Sequence, residues 1–175
     1  MDTVLIALLV LMMLLHGVMT VARGWMLGQE MTAEAWADMT TRTSARASTG
    51  LRVADVQVLG SLGTLTVQNS GESKLADFDR WDVILHCYTA SGQYRISRLT
   101  FAVGAPPGEG WAVEGLYLDA SEGIAEVYEP GVLNPGEEVV ILAYLAAPLE
   151  EGATHMVVVG TSNGATSTRQ FATTP

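Results

Sequence analysis

The sequence predicts an α+β protein in which a long N-terminal hydrophobic α-helix precedes an antiparallel β-sandwich. Two observations support this fold class. Residues 3–22 contain no charged side chain and are almost continuously hydrophobic. After Gly50 the hydrophobic period changes from about 3.6 residues to 2, with turn residues at short intervals. We therefore divide the chain into a helical segment, residues 1–47, and a β domain, residues 51–175.

Residues 3–22 have the length and composition of a membrane-spanning helix. About 20 apolar residues are needed to cross ~30 Å of hydrocarbon, and Leu, Ile, Val and Met side chains enter lipid readily. The segment is longer and more apolar than the core of a secretory signal. It also lacks a basic region before it and an A-x-A site after it. We expect it to remain in the mature protein.

The helix is predicted to continue beyond the membrane, to about Arg46. Residues 28–48 contain no proline and are rich in helix-forming residues. Apolar residues recur there at a helical spacing, and they are Met31, Ala35, Trp36 and Met39. Acidic residues recur every four positions and form a ridge, made of Glu30, Glu34 and Asp38. This extra length favours a bundle in which neighbouring copies cover each other.

Three glycines are predicted to share one face of the helix. Gly17, Gly24 and Gly28 are separated by steps of 7 and 4 residues, which nearly complete whole turns. Residues 24–28 form a GxxxG pattern, which allows helix backbones to approach closely in lipid, although chance and local flexibility also explain it. The residues that we assign to helix packing and assembly are Leu8, Met12, Gly17, Val21, Gly24, Gly28, Met31 and Trp36.

The β domain is predicted to contain eight or nine short strands separated by Gly, Pro and Asn turns. Such a series is typical of an immunoglobulin-like sandwich. The predicted strands are residues 51–59, 64–68, 81–89, 93–103, 111–118, 124–129, 137–147, 155–160 and 166–171. Four of their hydrophobic residues are expected in the core, namely Val83, Leu85, Leu142 and Val158.

The polar residues indicate no catalytic centre, so we expect neither enzyme activity nor a cofactor. The three histidines stand alone, without a metal-binding spacing or a GxSxG elbow; they are His16, His86 and His155. The pair Glu137 and Glu138 flanks a turn and is expected to be solvated rather than a glycosidase pair. Adjacent strand residues point to opposite faces, so the two carboxylates cannot easily converge. The single cysteine, Cys87, excludes an intramolecular disulfide and is expected to be a small buried hydrophobe.

The net charge of −10 is concentrated in the β domain. The first 50 residues carry four acidic and three basic side chains, a net charge of −1, so the remainder carries −9. This excess argues against nucleic acid as a partner, because phosphates require Lys and Arg. The densest acidic group is compatible with a loose Ca²⁺ site, although it lacks the glycine and the distal glutamate of a calcium loop. That group comprises Glu72, Asp77, Asp79 and Asp82.

Three short motifs follow the helix in a fixed order. Residues 67–71, VQNSG, precede LADFD and WDVI; residues 130–137 read PGVLNPGE; and the VVV of residues 157–159 leads into GTSNG. In this order the motifs resemble those of archaeal flagellins, the archaellins, and of sandwich-domain relatives that include membrane-anchored stator proteins. The positions that carry the resemblance are Asn69, Gly71, Asp82, Pro135, Gly136, Glu137, Asn163 and Gly164.

The resemblance implies a structural subunit of an archaellum-type motility filament. Archaellins are similar to type IV pilins in their N-terminal helix. They are held in the membrane as precursors, lose a short basic leader and polymerise into an extracellular helical filament, with helices in the core and β domains outside. The implied partners are further copies of the chain, the membrane before assembly, an assembly motor and a leader peptidase.

Two other functions are compatible with the sequence. The first is a single-pass archaellum stator or accessory protein whose sandwich binds another component while the helix stays in lipid. The second is a membrane-tethered module that binds a sugar or a metal through the acidic segment 72–82. Fractionation separates the first from a filament subunit, because a stator stays in the membrane whereas a filament protein dominates sheared extracellular material.

Overall fold

The computed structural model describes residues 2–173, apart from the side chains of residues 2–4, 42 and 45. The chain divides into two compact units, Met1–Ser44 and Ala45–Pro175. The described residues form one α-helix, a 3₁₀ turn at Phe78–Arg80 and nine strands. The elements are α1 (Asp2–Ser48), β1 (Leu51–Leu59), β2 (Leu62–Asn69), β3 (Asp82–Tyr88), β4 (Tyr94–Phe101), β5 (Gly110–Asp119), β6 (Ile124–Ala125), β7 (Glu138–Tyr144), β8 (Thr154–Gly160) and β9 (Thr166–Ala172).

Helix α1 is continuous over 47 residues. At 1.5 Å per residue it is about 70 Å long, more than twice the thickness of a bilayer core. Its segment Leu5–Ser48 is long and apolar enough to cross a membrane. Threonine hydroxyls along α1 donate to the carbonyl four residues earlier, as Thr20 Oγ1 does to His16 O at 2.8 Å. Such bonds satisfy the hydroxyl within the helix, so threonine is tolerated on an apolar surface.

The β domain is a two-layered sandwich that approaches a closed barrel. One layer has the order β1-β2-β7-β5, with β6 beside β5, and the other has the order β4-β3-β8-β9. A short parallel pairing of β4 with β5, Thr100 opposite Gly110 and Phe101 opposite Trp111, joins the layers along one edge. On the other edge the Arg169 guanidinium of β9 donates to the carbonyl oxygens of Val53 and Ala54 in β1. The prediction of a long helix followed by a β-sandwich is confirmed.

The core lies between the two layers and is filled by alternate residues of the strands. Its main residues are Leu65, Val67, Val83, Leu85, Cys87, Trp111, Val139, Ile141, Val157 and Val159. The placement of Val83 and Leu85 in the core is confirmed. Leu142 and Val158 are only half-buried on the outer faces, so their predicted core positions are wrong. Both lie in uninterrupted apolar runs, where period-2 alternation does not reveal which residues point inward.

The predicted strand 124–129 forms only over Ile124–Ala125. The carboxylate of Glu126 accepts hydrogen bonds from the backbone N–H groups of Tyr128 and Glu129, the second at 2.6 Å. These local bonds bend the chain into a turn and remove the groups that a longer ladder would need. Apolar Val127 and Tyr128 therefore lie in an exposed loop rather than in a strand.

Two glycines of the β1–β2 hairpin are expected to respond oppositely to alanine. A Cβ on Gly63 would meet Ala143 Cβ at 3.5 Å and Val58 Cγ2 at 3.7 Å, ordinary contacts beside a small apolar cavity. Gly63→Ala should raise the free energy of unfolding by about 0.5–1 kcal/mol, because it restricts the unfolded chain. Gly60 has φ +63°, so Gly60→Ala should lower the free energy of unfolding by about 1 kcal/mol. Unfolding of the full chain in detergent, followed by tryptophan fluorescence, measures both; destabilisation by Gly63→Ala would contradict this account of the cavity.

The thiol of Cys87 is expected to be inert in the folded protein. Its side chain is 4% exposed, and burial raises its pKa, an effect that Arg95 partly offsets. Because the thiolate is the reactive form and appears at higher pH when the pKa is raised, maleimide should label the native chain at least about tenfold more slowly than the denatured chain. Equal rates in the two states at neutral pH would show that Cys87 is accessible. Mass spectrometry of the labelled chain gives both rates.

Candidate assembly surface

Helix α1 presents apolar side chains on every side up to residue 22 and carries an acidic ridge beyond it. All side chains from residue 5 to residue 41 are exposed. At 100° per residue, five predicted packing residues fall within an arc of about 80°, and they are Gly17, Val21, Gly24, Gly28 and Met31. Leu8 and Met12 lie on the opposite side of the helix, and Trp36 lies beyond the edge of the arc. The predicted packing residues therefore form one glycine-containing face, with three members outside it.

The glycine face is open for close approach by another helix. No atom lies within 4 Å of a Cβ built on Gly17, Gly24 or Gly28. The two acidic side chains nearest to this segment, Glu30 and Glu34, lie at least 60° outside the arc of the five residues. A partner backbone can therefore contact the glycines without burying a carboxylate, and the glycine face stays the predicted site for helix packing in lipid or in a protein bundle.

In the β domain, the Asn69 side chain joins two of the turns that the sequence motifs predicted. Asn69 is fully buried. Its Nδ2 donates to the carbonyl oxygens of Ser73 and Leu133, at 2.8 and 3.0 Å, and its Oδ1 accepts from Gly71 N at 3.1 Å. Its backbone carbonyl accepts from Gly136 N at 2.8 Å. One asparagine thus fixes both the chain after β2 and the loop before β7.

The loop before β7 is a tight turn whose carboxylate is built into the fold. Gly136 has φ +89°, and Glu137 N donates to Asn134 O at 3.1 Å, so Pro135 and Gly136 form the predicted turn. Glu137 is 8% exposed and its Oε2 accepts from Asn134 N at 2.8 Å. The expectation that Glu137 is a solvated charge is therefore wrong. Glu138 is half-buried on the outer face, where its Oε2 accepts the backbone N–H of Ala120 at 2.9 Å.

The same turns surround the residues that lead into β1. Glu72 N donates to Ser48 O at 2.9 Å, and Ser70 N donates to Gly50 O at 3.0 Å. A Cβ on Gly50 would lie 2.6 Å from Gly71 N, so the backbones touch and neither glycine can carry a side chain without a shift. We call residues 48–50 with residues 69–73 the entry clasp. It fixes the path of the backbone into the sandwich.

The third motif also reaches the entry clasp. Asn163 Nδ2 donates to Thr49 Oγ1 at 2.7 Å, while its Oδ1 accepts from Thr161 Oγ1 at 2.6 Å. Gly164 continues the same turn, with its N–H bonded to Thr161 O. Asp82 lies opposite Gly160 at the start of β3 and forms an ion pair with Arg98 at 2.5 Å. Motifs that are distant in sequence therefore converge on the start of the β domain, which sequence spacing alone did not indicate.

The acidic segment does not form a metal site in the part of the chain that the structure describes. Among the side chains that the structure describes, no three of His, Cys, Asp or Glu form a group that could hold a metal ion. Asp77 instead adopts a left-handed backbone conformation, φ 53°, before the 3₁₀ turn at Phe78–Arg80. Nearby, Lys74 Nζ contacts Glu129 Oε2 at 2.5 Å, and this bond lowers the pKa of Glu129.

Comparison with solved structures identifies the fold. A chain of the archaeal flagellum of Methanospirillum hungatei strain JF1 covers 94% of this chain and 90% of its own, with 12% identity and a TM-score of 0.58. The periplasmic stator protein FlaG of Sulfolobus acidocaldarius covers 70% of this chain and 99% of its own, with 19% identity and a TM-score of 0.51. A chain of the FlaF and FlaG stator complex from the same organism covers 69% of this chain and 87% of its own, with 21% identity and a TM-score of 0.50. This chain has an archaellin-like fold.

The predicted resemblance to archaellins and their stator relatives is thus confirmed in structure. No protein-family model matches the chain, and no curated protein matches its sequence. The extent of the structural matches differs. Residues 49–175 are 127 of the 175 residues, or about 73%, so a match over 94% must include part of α1. The matches to the stator proteins, at about 70%, are no longer than the β domain alone.

We expect the buried side chain of Asn69 to be essential for the archaellin-like domain. Asn69→Ala leaves two carbonyl oxygens and one N–H group without their partner and should lower the free energy of unfolding by about 3 kcal/mol. Asn69→Asp should also destabilise, because a carboxylate would face the carbonyl oxygens of Ser73 and Leu133. Gln68→Ala, on the half-exposed neighbour in β2, is the matched control. A loss below about 1 kcal/mol for Asn69→Ala, measured by denaturation of the full chain, would refute this role.

Proposed function

We propose that this chain is a structural subunit of an archaellum-type extracellular helical filament for motility. The observation that carries the proposal is the length and exposure of α1. A helix of 47 residues with exposed apolar side chains extends far beyond what an anchor needs, since about 20 residues cross a bilayer. A bundle of identical helices covers such a surface along its whole length. The match to a filament chain that includes part of α1 supports the same conclusion.

The assembly step transfers α1 from lipid to protein. Lipid tails and apolar side chains are similar environments, so the transfer gains little hydrophobic free energy. Close backbone contact at Gly17, Gly24 and Gly28 supplies packing interactions that lipid does not. The remaining driving force is assigned to an assembly motor, a partner that the resemblance implies together with a leader peptidase. The subunit itself requires no cofactor and no nucleic acid.

The β domain forms the exterior of the proposed filament. Its net charge of −9, from residues 51–175, favours a hydrated surface and opposes nonspecific aggregation. The entry clasp makes the first residues of the domain part of its fold through the bonds of Ser48, Thr49 and Gly50. The chain would be inserted in the membrane before assembly and located in the cell-surface filament afterwards.

The alternative function is a membrane-anchored stator or accessory protein. The observation that favours it is the match to FlaG, which covers 99% of that chain. In this role α1 would remain in lipid and the sandwich would bind another component. A simple membrane anchor does not need the part of α1 beyond residue 23. For this reason we prefer the role of filament subunit to that of stator protein.

The proposed packing predicts that a large side chain on the glycine face blocks assembly. Gly24→Leu fills the space that a neighbouring backbone would occupy, so sheared material should contain at least about tenfold fewer filaments, while the protein accumulates in the membrane. Ala22→Leu is the matched control, because residue 22 lies about 160° from residue 24 around the helix. Electron microscopy and immunoblots of sheared and membrane fractions measure both variants.

Two results would count against this account. Normal filaments from Gly24→Leu would exclude the proposed glycine contact. Confinement of the unsubstituted chain to membranes, at low copy number and absent from sheared filaments, would favour the stator role instead. Unfolding of the β domain, followed by tryptophan fluorescence, verifies that neither substitution acts through the sandwich.

A further inference from the structure

One outer face of the sandwich is apolar although the core does not require it. Strands β3, β4 and β8 direct six large side chains outward, and these are Ile84, Tyr88, Tyr94, Ile96, Met156 and Val158. We call this the β3–β4–β8 face. Ile96 is 58% exposed, Tyr94 52% and Tyr88 41%. Strand β8 thus has apolar residues on both sides, a pattern typical of strands that are covered on both faces.

The side chains of the β3–β4–β8 face are held against one another. Tyr88 and Tyr94 are opposite each other in the β3–β4 ladder, with ring centroids 5.2 Å apart. Tyr94 Oη lies 3.0 Å from His86 Nδ1, and His86 is flanked by Ile96 on one strand and Met156 on the other. Ordered aromatic side chains lose less conformational entropy on binding, which favours their use in a contact surface.

Charge distinguishes this face from the rest of the domain. Among the residues of β3, β4, β8 and β9 whose register points outward, all of which the structure describes, the charged groups are Asp82 and Arg98, which pair with each other. Arg95 of β4 has the opposite register but is also exposed, and it pairs with Glu109, so both charged pairs are neutral. The outer face of the opposite layer carries Asp55, Glu114 and Glu138. Two copies of a domain with a net charge of −9 repel each other least where their contact is locally neutral. The neutral apolar face is therefore suited to a second copy of the same acidic chain.

We propose that the β3–β4–β8 face is covered by the β domain of a neighbouring copy of this chain. The inference rests on the proposed function, since packing of α1 would hold neighbouring domains at a high effective concentration and allow a modest contact to form. Burial of the exposed parts of Ile96, Tyr94 and Tyr88 would stabilise the contact. The occupant is a second copy because the β3–β4–β8 face carries no net charge, so two strongly acidic domains can meet there with the least repulsion.

A photo-crosslinking amino acid at position 96 of the full-length chain tests the contact in the native host. Position 118 is the matched control, because Leu118 is 56% exposed and lies in the other layer. Since one chain is 18.6 kDa, ultraviolet light should produce a product of twice that mass from position 96. Position 118 should give at least about fivefold less. Mass spectrometry of the product identifies both crosslinked chains.

Three results at position 96 would overturn the proposed contact. Absence of the dimer product at position 96, equal yields at the two positions, or a crosslink to a different protein would each exclude a second copy as the occupant. Ile96→Glu provides an independent readout: it should yield shorter filaments after shear, whereas Leu118→Glu should not. If the unsubstituted chain forms no filaments but position 96 still yields the dimer product, the filament role fails and the contact stands. Normal filaments without the product reject the contact alone.

Discussion

A long apolar helix such as α1 needs a covering that removes its side chains from water. Side chains from residue 5 to residue 41 of α1 are exposed, and hydrophobic side chains of this size favour burial by about 1.5–3 kcal/mol each. Lipid can cover only about 20 residues of a helix of 47. We propose that identical helices cover the apolar side chains of the remaining turns.

In the β domain, hydrogen bonds from separate turns fix the backbone at the point where the chain enters the sandwich. Asn69, the turn at Pro135–Gly136 and Asn163 come from three separate loops, yet all contact the entry clasp or each other. Buried hydrogen bonds of this kind contribute little net stability when made and cost much when broken. They therefore specify one path of the backbone rather than simply adding stability.

The surfaces of the two units differ in the associations that they favour. The glycine face of α1 permits close contact through shape, because nothing occupies the positions of the missing side chains. The β3–β4–β8 face combines apolar area with a neutral ion pair on an otherwise acidic domain. In the proposed filament, contacts through these two separate surfaces would combine lipid-like packing in the interior with a hydrated exterior.

The amino-acid sequence by itself determined the elements and their class. An uncharged stretch of 20 residues, a helical repeat after it and a change to period 2 at Gly50 are local signals, and the helix and the strands formed where those signals lay, except that the strand predicted at 124–129 is limited to Ile124–Ala125. Cys87 was correctly placed in the core because polar and apolar residues alternate around it in β3. The motif order also predicted the archaellin-like fold, since turns such as the one at Pro135–Gly136 depend on local backbone geometry.

Tertiary structure alone decided which side chains point into the core and which distant residues meet. Leu142 and Val158 lie in strands without alternation, so only strand pairing determines that they point outward. The bonds of Arg169 to β1 and the convergence of the turns at residues 69–73 and 161–164 on Thr49 and Gly50 join residues far apart in the chain. The apolar β3–β4–β8 face became visible only once β8 lay beside β3. These features depend on which strands become neighbours, and local propensity does not contain that information.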